Sequence, residues 1–307
     1  MKLTNDWITG FIDGDGCFSI SKMPASKEFK GGNATGLRFR FIASQDQRSA
    51  DVLYALKKHF GCGTVYKSSG NMMDYCITNR LHLRDKVLPH FVKYPLQTMK
   101  RIRFYEFATA LRDYMGKLGE DPGISVDSLY VSAEYKCTAG WFRGIVDADG
   151  CFSFSVSAGQ CMPRFTLGMQ RGESPLIKEC QRLVRCGTLH TRKDGLETLQ
   201  VASVAHMEQF LIPFFETRGS AVLLRTIKRI SFQKWRKIVR LITEKRHLDA
   251  AGMEKILKYK QGLNTHNQSI GYVESDTAEL STVGKVDNTI NTLQTLRGSW
   301  VINEVDR

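Results

Sequence analysis

No two of the eight cysteines, at positions 17, 62, 76, 137, 151, 161, 180 and 186, stand in a Cys-x-x-Cys pair. That spacing argues against a zinc site and leaves buried thiols in a reducing compartment as the reading. No stretch of about 18 apolar residues exists, which excludes a membrane-spanning helix. Prolines are few, seven in 307 residues, and the 42% hydrophobic content describes a globular chain long enough for two cores. The N-terminus enters a structured pattern almost at once, so the expectation is a protein without a targeting peptide.

Acidic charge is also short. Forty-four Lys and Arg face 31 Asp and Glu, a net +13. From Thr265 to the end there are 3 basic and 6 acidic residues, so residues 1–264 carry 41 minus 25, or +16. Such a body suits a polyanionic partner, because each neutralised phosphate releases counterions.

Against this background one acidic segment occurs twice. Ile8-Thr9-Gly10-Phe11-Ile12-Asp13-Gly14-Asp15-Gly16-Cys17-Phe18-Ser19 is echoed by Phe142-Arg143-Gly144-Ile145-Val146-Asp147-Ala148-Asp149-Gly150-Cys151-Phe152-Ser153. Further anchors follow in the same order: Phe60-Gly61-Cys62-Gly63-Thr64 with Val184-Arg185-Cys186-Gly187-Thr188, Leu88-Pro89-His90-Phe91 with Ile212-Pro213-Phe214-Phe215, and Lys100-Arg101-Ile102 with Lys228-Arg229-Ile230. The displacement drifts from 134 to 124 to 128, so the copies differ by loop insertions. We read a duplicated α+β domain with pseudo-twofold symmetry.

Within each copy the periodicity predicts a helix over 4–15 that Gly16 ends in a left-handed conformation, strands at 17–23 and 37–44, a helix at 51–60, a hairpin of 63–67 with 74–78, and helices at about 82–91 and 96–114. The order repeats from Thr138 to about Gly262. The expected division is a first repeat at 1–115, a linker at 116–136, a second repeat at 137–263 and a flexible, polar, acidic tail at 264–307.

Gly10 and Gly14 lie on one helix face, as do Gly144 and Ala148. Bare stripes let two helices approach backbone to backbone, which would set Asp15 beside Asp149. Two adjacent carboxylates repel unless cations lie between them. A lone Asp-Gly-Asp-Gly is a turn, but two copies in matching context are not. A calcium loop starting at Asp13 fails, since its sixth and twelfth positions hold Phe18 and Pro24, and in the second copy Phe152 and Ala158.

At these residues the chain resembles the LAGLIDADG homing endonucleases in their single-chain, two-repeat form, over about 1–264. The resemblance implies two αββαββα units whose motif helices pack together above a saddle of β-strands lying on DNA. It implies Mg²⁺-dependent double-strand cleavage of a long asymmetric site leaving 3′ overhangs, with Mn²⁺ or Ca²⁺ able to occupy the same sites, by a monomer with no membrane partner. By the same resemblance Asp15 and Asp149 are metal ligands, with the main chain of Gly14 and Ala148 beside them. Asp13 and Asp147 are structural helix-end acids. Gln45 orders water, partnered by Gln170 or, after a one-residue shift, Arg171. Lys100 and Lys228 are the basic residues near the centres, with Lys93 a weaker choice for the first. Two departures stand out: Arg143 where the motif has a small residue, and a shorter second hairpin turning at Ala158-Gly159.

Strand alternation sets Phe39 and Phe41 against Arg38 and Arg40, and Phe165 and Leu167 against Arg164 and Thr166. The outward set expected to meet DNA is Ser19, Ser21, Arg38, Arg40, Lys67, Ser153, Ser155, Arg164, Thr166, Arg192 and Lys193, with arginine suited to guanine and Lys67 and Lys193 to phosphate. An RNA-binding intron maturase and a cleavage-inactive DNA binder on the same fold remain the alternatives. The resemblance places such a chain in an organelle, mitochondrion or chloroplast, or in a prokaryotic cytoplasm.

Overall fold

In the computed structural model, residues 2–22, 36–121, 123, 135–157, 160–216, 223–261 and 263 are described. The expectations for the turn at Ala158-Gly159, most of the linker and the tail beyond 263 fall outside them. Helix α1 (Asn5–Asp15) starts at Thr4, whose hydroxyl accepts from the Trp7 amide, and it runs directly into β1 (Gly16–Lys22). β2 (Leu37–Asp46), α2 (Ala50–Phe60), β3 (Thr64–Lys67) and β4 (Met72–Ile77) follow. Short helices α3 (Arg80–His82) and α4 (Leu88–Lys93) lead to the long α5 (Lys100–Lys117). The second copy comprises α6 (Ala139–Asp149), β5 (Gly150–Ser157), β6 (Gln160–Met169), α7 (Ser174–Val184), β7 (Thr188–Thr191), β8 (Glu197–Val201), α8 (Val204–His206), α9 (Ile212–Phe215) and α10 (Lys228–Thr243). A further helix without counterpart, α11 (Ala250–Gln261), closes it. The architecture is therefore α+β, built from two αββαββα units.

Each copy forms one antiparallel four-stranded sheet, in the order β1-β2-β4-β3 and β5-β6-β8-β7. Helices cover one face of each. Phe18, Phe39 and Phe41 pack with Phe91, Phe104 and Phe107 of the first repeat. Phe152 and Phe165 do the same with Phe215, Phe232 and Trp235 of the second. α11 adds Ile256 to a smaller cluster with Phe154, Ile238 and Ile242, extending cover along the second hairpin.

Two expectations change, and Arg143 shows how the halves pack unequally. Gly16 is not left-handed: at φ −87° and ψ 155° it is extended, and helix passes to strand without a turn. Glycine is required there for room, since a Cβ would lie 2.6 Å from the Ile12 carbonyl oxygen, and Gly150 stands likewise against Val146. α5 runs to Lys117, past the expected boundary at 115. Arg143 turns inward. Its guanidinium donates to the Phe214 carbonyl at 3.0 Å and lies over the Phe214 ring, where its counterpart Thr9 donates to the Tyr94 carbonyl at 3.1 Å. All eight cysteines are free thiols; Cys76, Cys180 and Cys186 are buried, whereas Cys17 is exposed.

Candidate nuclease centre and nucleic-acid interface

The two motif helices meet through their bare stripes. A Cβ on Gly10 would sit 2.0 Å from the Trp141 carbonyl oxygen, and one on Gly144 would sit 2.1 Å from that of Trp7. Such distances permit no side chain, so the backbones are in direct contact. Further along, a Cβ on Gly14 would lie 2.2 Å from the Ala148 Cβ and 2.9 Å from Asp149 Oδ2. The C-terminal ends of α1 and α6 thus converge, and Asp149 reaches the helix that bears Asp15.

Reciprocal bonds fix this crossing. Asp13 accepts from the Gln97 amide (2.9 Å), the Thr98 amide (3.1 Å), the Thr98 hydroxyl (2.6 Å) and, across the pseudo-dyad, Trp141 Nε1 (2.6 Å). Asp147 repeats the pattern with the Arg225 amide (2.8 Å), the Thr226 amide (2.9 Å), the Thr226 hydroxyl (2.7 Å) and Trp7 Nε1 (2.9 Å). Burial pushes both carboxyls above the ordinary carboxylate range, and these donors oppose it. With their oxygens committed, both acids are structural, leaving Asp15 and Asp149 as the pair at the helix ends.

Lys100 donates to the Ile12 carbonyl at 2.9 Å and the Gly14 carbonyl at 2.8 Å, and Lys228 donates to the Ala148 carbonyl. Burial lowers the Lys100 ammonium's proton affinity, while the carboxylates of Asp13, Asp15 and Asp149 pull it back up. Gln45 Nε2 donates to Asp15 Oδ2. Lys93 is elsewhere, over the Tyr94 ring.

Neither Gln170 nor Arg171 is the counterpart of Gln45. Ala43 faces Gly16 and Leu167 faces Gly150, so two residues on, Gln45 corresponds to Met169. Gln170 and Arg171 lie exposed in the turn after β6.

The donors available to a metal are two carboxylates and the carbonyls of Gly14 and Ala148, each of which keeps a lone pair beside its lysine bond. Among the described residues no cluster of three or more His, Cys, Asp or Glu forms a complete cage. An all-oxygen, incomplete set fits a hard divalent cation that takes its remaining ligands from water and phosphate.

On the open face of the first sheet the register places Cys17, Ser19, Ser21, Arg38, Arg40, Ser44, Thr64, Tyr66, Asp74 and Cys76. Arg38, Arg40, Thr64, Tyr66, Cys76 and Thr78 line a hollow of about 390 Å³. Ser19 faces the right way but is only 7% exposed. Lys67 shares the face of Val65 and Met73, opposite to Tyr66, so the register removes it from the open face. In the second sheet Ser153, Ser155, Arg164 and Thr166 share the open face with Thr188, His190, Thr198 and Gln200. Arg192 and Lys193 occupy the exposed turn after β7, where Arg192 pairs with Asp194 at 3.1 Å. Thr64, Tyr66, His190 and Gln200 reach the open face from β3, β7 and β8, beyond the alternation of the first two strands of each sheet.

The LAGLIDADG endonuclease pattern matches residues 8–111 and again 142–239, well over half of the chain. The chain belongs to the LAGLIDADG endonuclease family. Among similar proteins, probable intron-encoded endonuclease Cox1-I1b of Schizosaccharomyces pombe is 29% identical over 256 residues, covering 76% of this chain and 63% of that protein. Probable intron-encoded endonuclease 4 of Neurospora crassa is 25% identical over 264 residues, 84% of this chain and 44% of that one. The chain therefore spans about half to two thirds of the length of these relatives. The LAGLIDADG fold is shared with the meganuclease I-SmaMI bound to uncleavable DNA (TM-score 0.72, 22% identity, 86% of this chain and 99% of that one). It is shared equally with the meganuclease I-CpaMI bound to uncleaved DNA (TM-score 0.72, 19% identity, 86% and 100%). No described helix is long and apolar enough to cross a membrane.

Proposed function

We propose that this chain is a sequence-specific, divalent-metal-dependent DNA endonuclease that cuts both strands of a long asymmetric site, leaving 3′ overhangs, and acts as a monomer because one chain supplies both halves of the centre. The observation that carries the reading is the pair Asp15 and Asp149, brought together by glycine-bared helix ends within a body of net charge +16 over residues 1–264. A protein that only binds nucleic acid gains nothing from two carboxylates turned toward phosphate, which favours a nuclease over a maturase or an inactive binder.

Asp15 and Asp149, with the Gly14 and Ala148 carbonyls, would hold the cations; Mg²⁺ there would supply an activated water and a counter-charge for the leaving oxygen. Gln45 holds the Asp15 carboxylate in one orientation. Lys100 and Lys228 tie the helix ends in place and put positive charge beside the scissile phosphates, where negative charge grows in the transition state. The basic open faces of the two sheets supply the phosphate and base contacts, Arg40 and Arg164 among them. The intron-encoded status of the relatives supports an intron-encoded, organellar origin.

The test uses a duplex enriched by this protein, in Ca²⁺, from a pool randomised over its centre. With Mg²⁺ the protein should cut both strands. Asp15→Asn and Asp149→Asn should each abolish double-strand cleavage while binding in Ca²⁺ persists. Full cutting of both strands by the doubly substituted protein would sink the assignment.

A further inference from the structure

The two halves of the centre share their acids and lysines, with Ala148 in place of Gly14 and a second carbonyl bond from Lys100 to Ile12, and they part at one position beside the carboxylates. Lys100 donates to the Ile12 and Gly14 carbonyls and Lys228 to the Ala148 carbonyl, each at the end of a motif helix. Asp13 and Asp147 make equivalent sets of bonds. At the position of Gln45, however, the second repeat has Met169, only 5% exposed and packed into the hydrophobic core of its repeat.

A thioether carries no N–H, so Met169 offers Asp149 nothing comparable to the Gln45 bond. Among the described residues Asp149 receives no side-chain hydrogen bond, whereas Asp15 receives one from Gln45. Among the described residues no nearby side chain substitutes. Gln170 and Arg171 are exposed in the following turn. Glu197, which faces Met169 across the β6–β8 ladder, accepts from the Ser174 hydroxyl at 2.6 Å and the Thr191 hydroxyl at 3.0 Å. The difference in side-chain support for the two carboxylates thus lies at one residue, on the strand that runs beside each of them.

We propose that the two strands are cut at unequal rates, with the Asp15–Gln45 half acting first and the Asp149–Met169 half second, so that cleavage passes through a nicked duplex. The inference rests on the endonuclease reading. Gln45 acts as a positioning residue: it holds a carboxylate that must otherwise be ordered during the reaction, and lost outer-sphere bonds of this kind cost on the order of 10- to 100-fold in activity or metal affinity.

The enriched duplex, labelled at the 5′ end of either strand in turn, is cut under single-turnover conditions in Mg²⁺. One strand should be nicked on the order of tenfold faster than the other. Met169→Gln should accelerate the lagging strand alone, and Gln45→Met should slow the leading strand alone. Because Gln45 is only half-buried, the second variant remains informative even where the first folds poorly. A readout free of cleavage comes from Tb³⁺ alone, bound to the protein without DNA and excited through Trp7 and Trp141, which bond the acids of the motif helices. Gln45→Met should weaken the Tb³⁺ titration and Met169→Gln should tighten it. Equal nicking of the two strands by the parent protein overturns the inference while leaving the endonuclease reading intact. So does a pair of variants that alter both strands alike, or that leave the Tb³⁺ titration unchanged. Failure to cut either strand instead defeats the endonuclease reading, and the inference with it.

Discussion

Glu173 and His90 are buried groups whose proton affinities move in opposite directions. Glu173 heads α7 and accepts from the Met99 amide at 2.5 Å across the repeat boundary, much as Ser49 accepts from the Ile227 amide at 3.0 Å. Burial pushes its carboxyl up to about 7. His90, packed among Phe60, Phe91 and Tyr94 with His59 at 3.2 Å, is pushed down to about 3 by burial and by that neighbouring histidine. For Glu173 the native state binds the proton more tightly than the unfolded chain, so its contribution is fully present below about pH 4.5 and is lost as pH rises through 7. For His90 the unfolded chain binds more tightly, so its contribution is present above about pH 6.5 and is lost as pH falls toward 3. The wild-type profile mixes the two. We expect His90→Phe, which installs the residue found at Phe214, to gain stability on going from about pH 7.5 to 5.5, and Glu173→Gln to lose it, each by on the order of 1–2 kcal/mol. Urea melts of both variants at the two pH values check this. Parallel responses would mean that neither group is buried as described.

At the scale of the element, the crossing of α1 and α6 depends on absent atoms. Gly10→Ala forces a methyl into the Trp141 carbonyl, and Gly144→Ala does the same at Trp7. Each should destabilise the protein by about 1–3 kcal/mol or more, since two backbones rather than flexible side chains must give way. Gly116, near the end of α5, has nothing within 4 Å of its would-be Cβ, and Gly116→Ala should stabilise by about 0.5–1 kcal/mol. Thermal melts of the three variants make the comparison, and a neutral Gly10→Ala would mean that the helices do not touch. The same crossing shows what could be read in advance. Small residues four apart in both copies, Gly10 with Gly14 and Gly144 with Ala148, announce a bare face, and the paired acids follow from it. The sheet position equivalent to Gln45 is not legible in the sequence, because the polar Gln170 and Arg171 directly follow the buried Met169 and only strand register settles the count. Lys67 misled in a similar way: one residue of alternation separates it from the open face that Tyr66 occupies. Gly16 looked like a helix stop by residue type, whereas its reason is the tight passage beside Ile12.

At the scale of the whole molecule, the contacts between repeats are reciprocal, and this bears on whether either half needs the other. Trp7 bonds Asp147 as Trp141 bonds Asp13, and Gly10 meets Trp141 as Gly144 meets Trp7. A fragment of residues 1–121 on its own would expose that face, with Trp7 Nε1 lacking its acceptor and Asp13 short of its Trp141 donor. Two copies related by a true dyad could restore the bonds, Trp7 of one reaching Asp13 of the other, with Ser49 turned toward the second copy's Met99 amide. The fragment also keeps the complete first core, including Phe39, Phe41, Phe91 and Phe107. It should therefore fold as a homodimer, with Asp15 and Gln45 present on both sides. Sedimentation analysis should show a dimer that dissociates and unfolds together on dilution, because a buried face with unpaired polar groups leaves the monomer little stability. Trp7→Phe should weaken that dimer by about 1–3 kcal/mol, the cost of leaving Asp13 short of one donor. A fragment that stays monomeric and folded would show that the first repeat's core suffices alone, and that the pseudo-dyad serves only to align the acids.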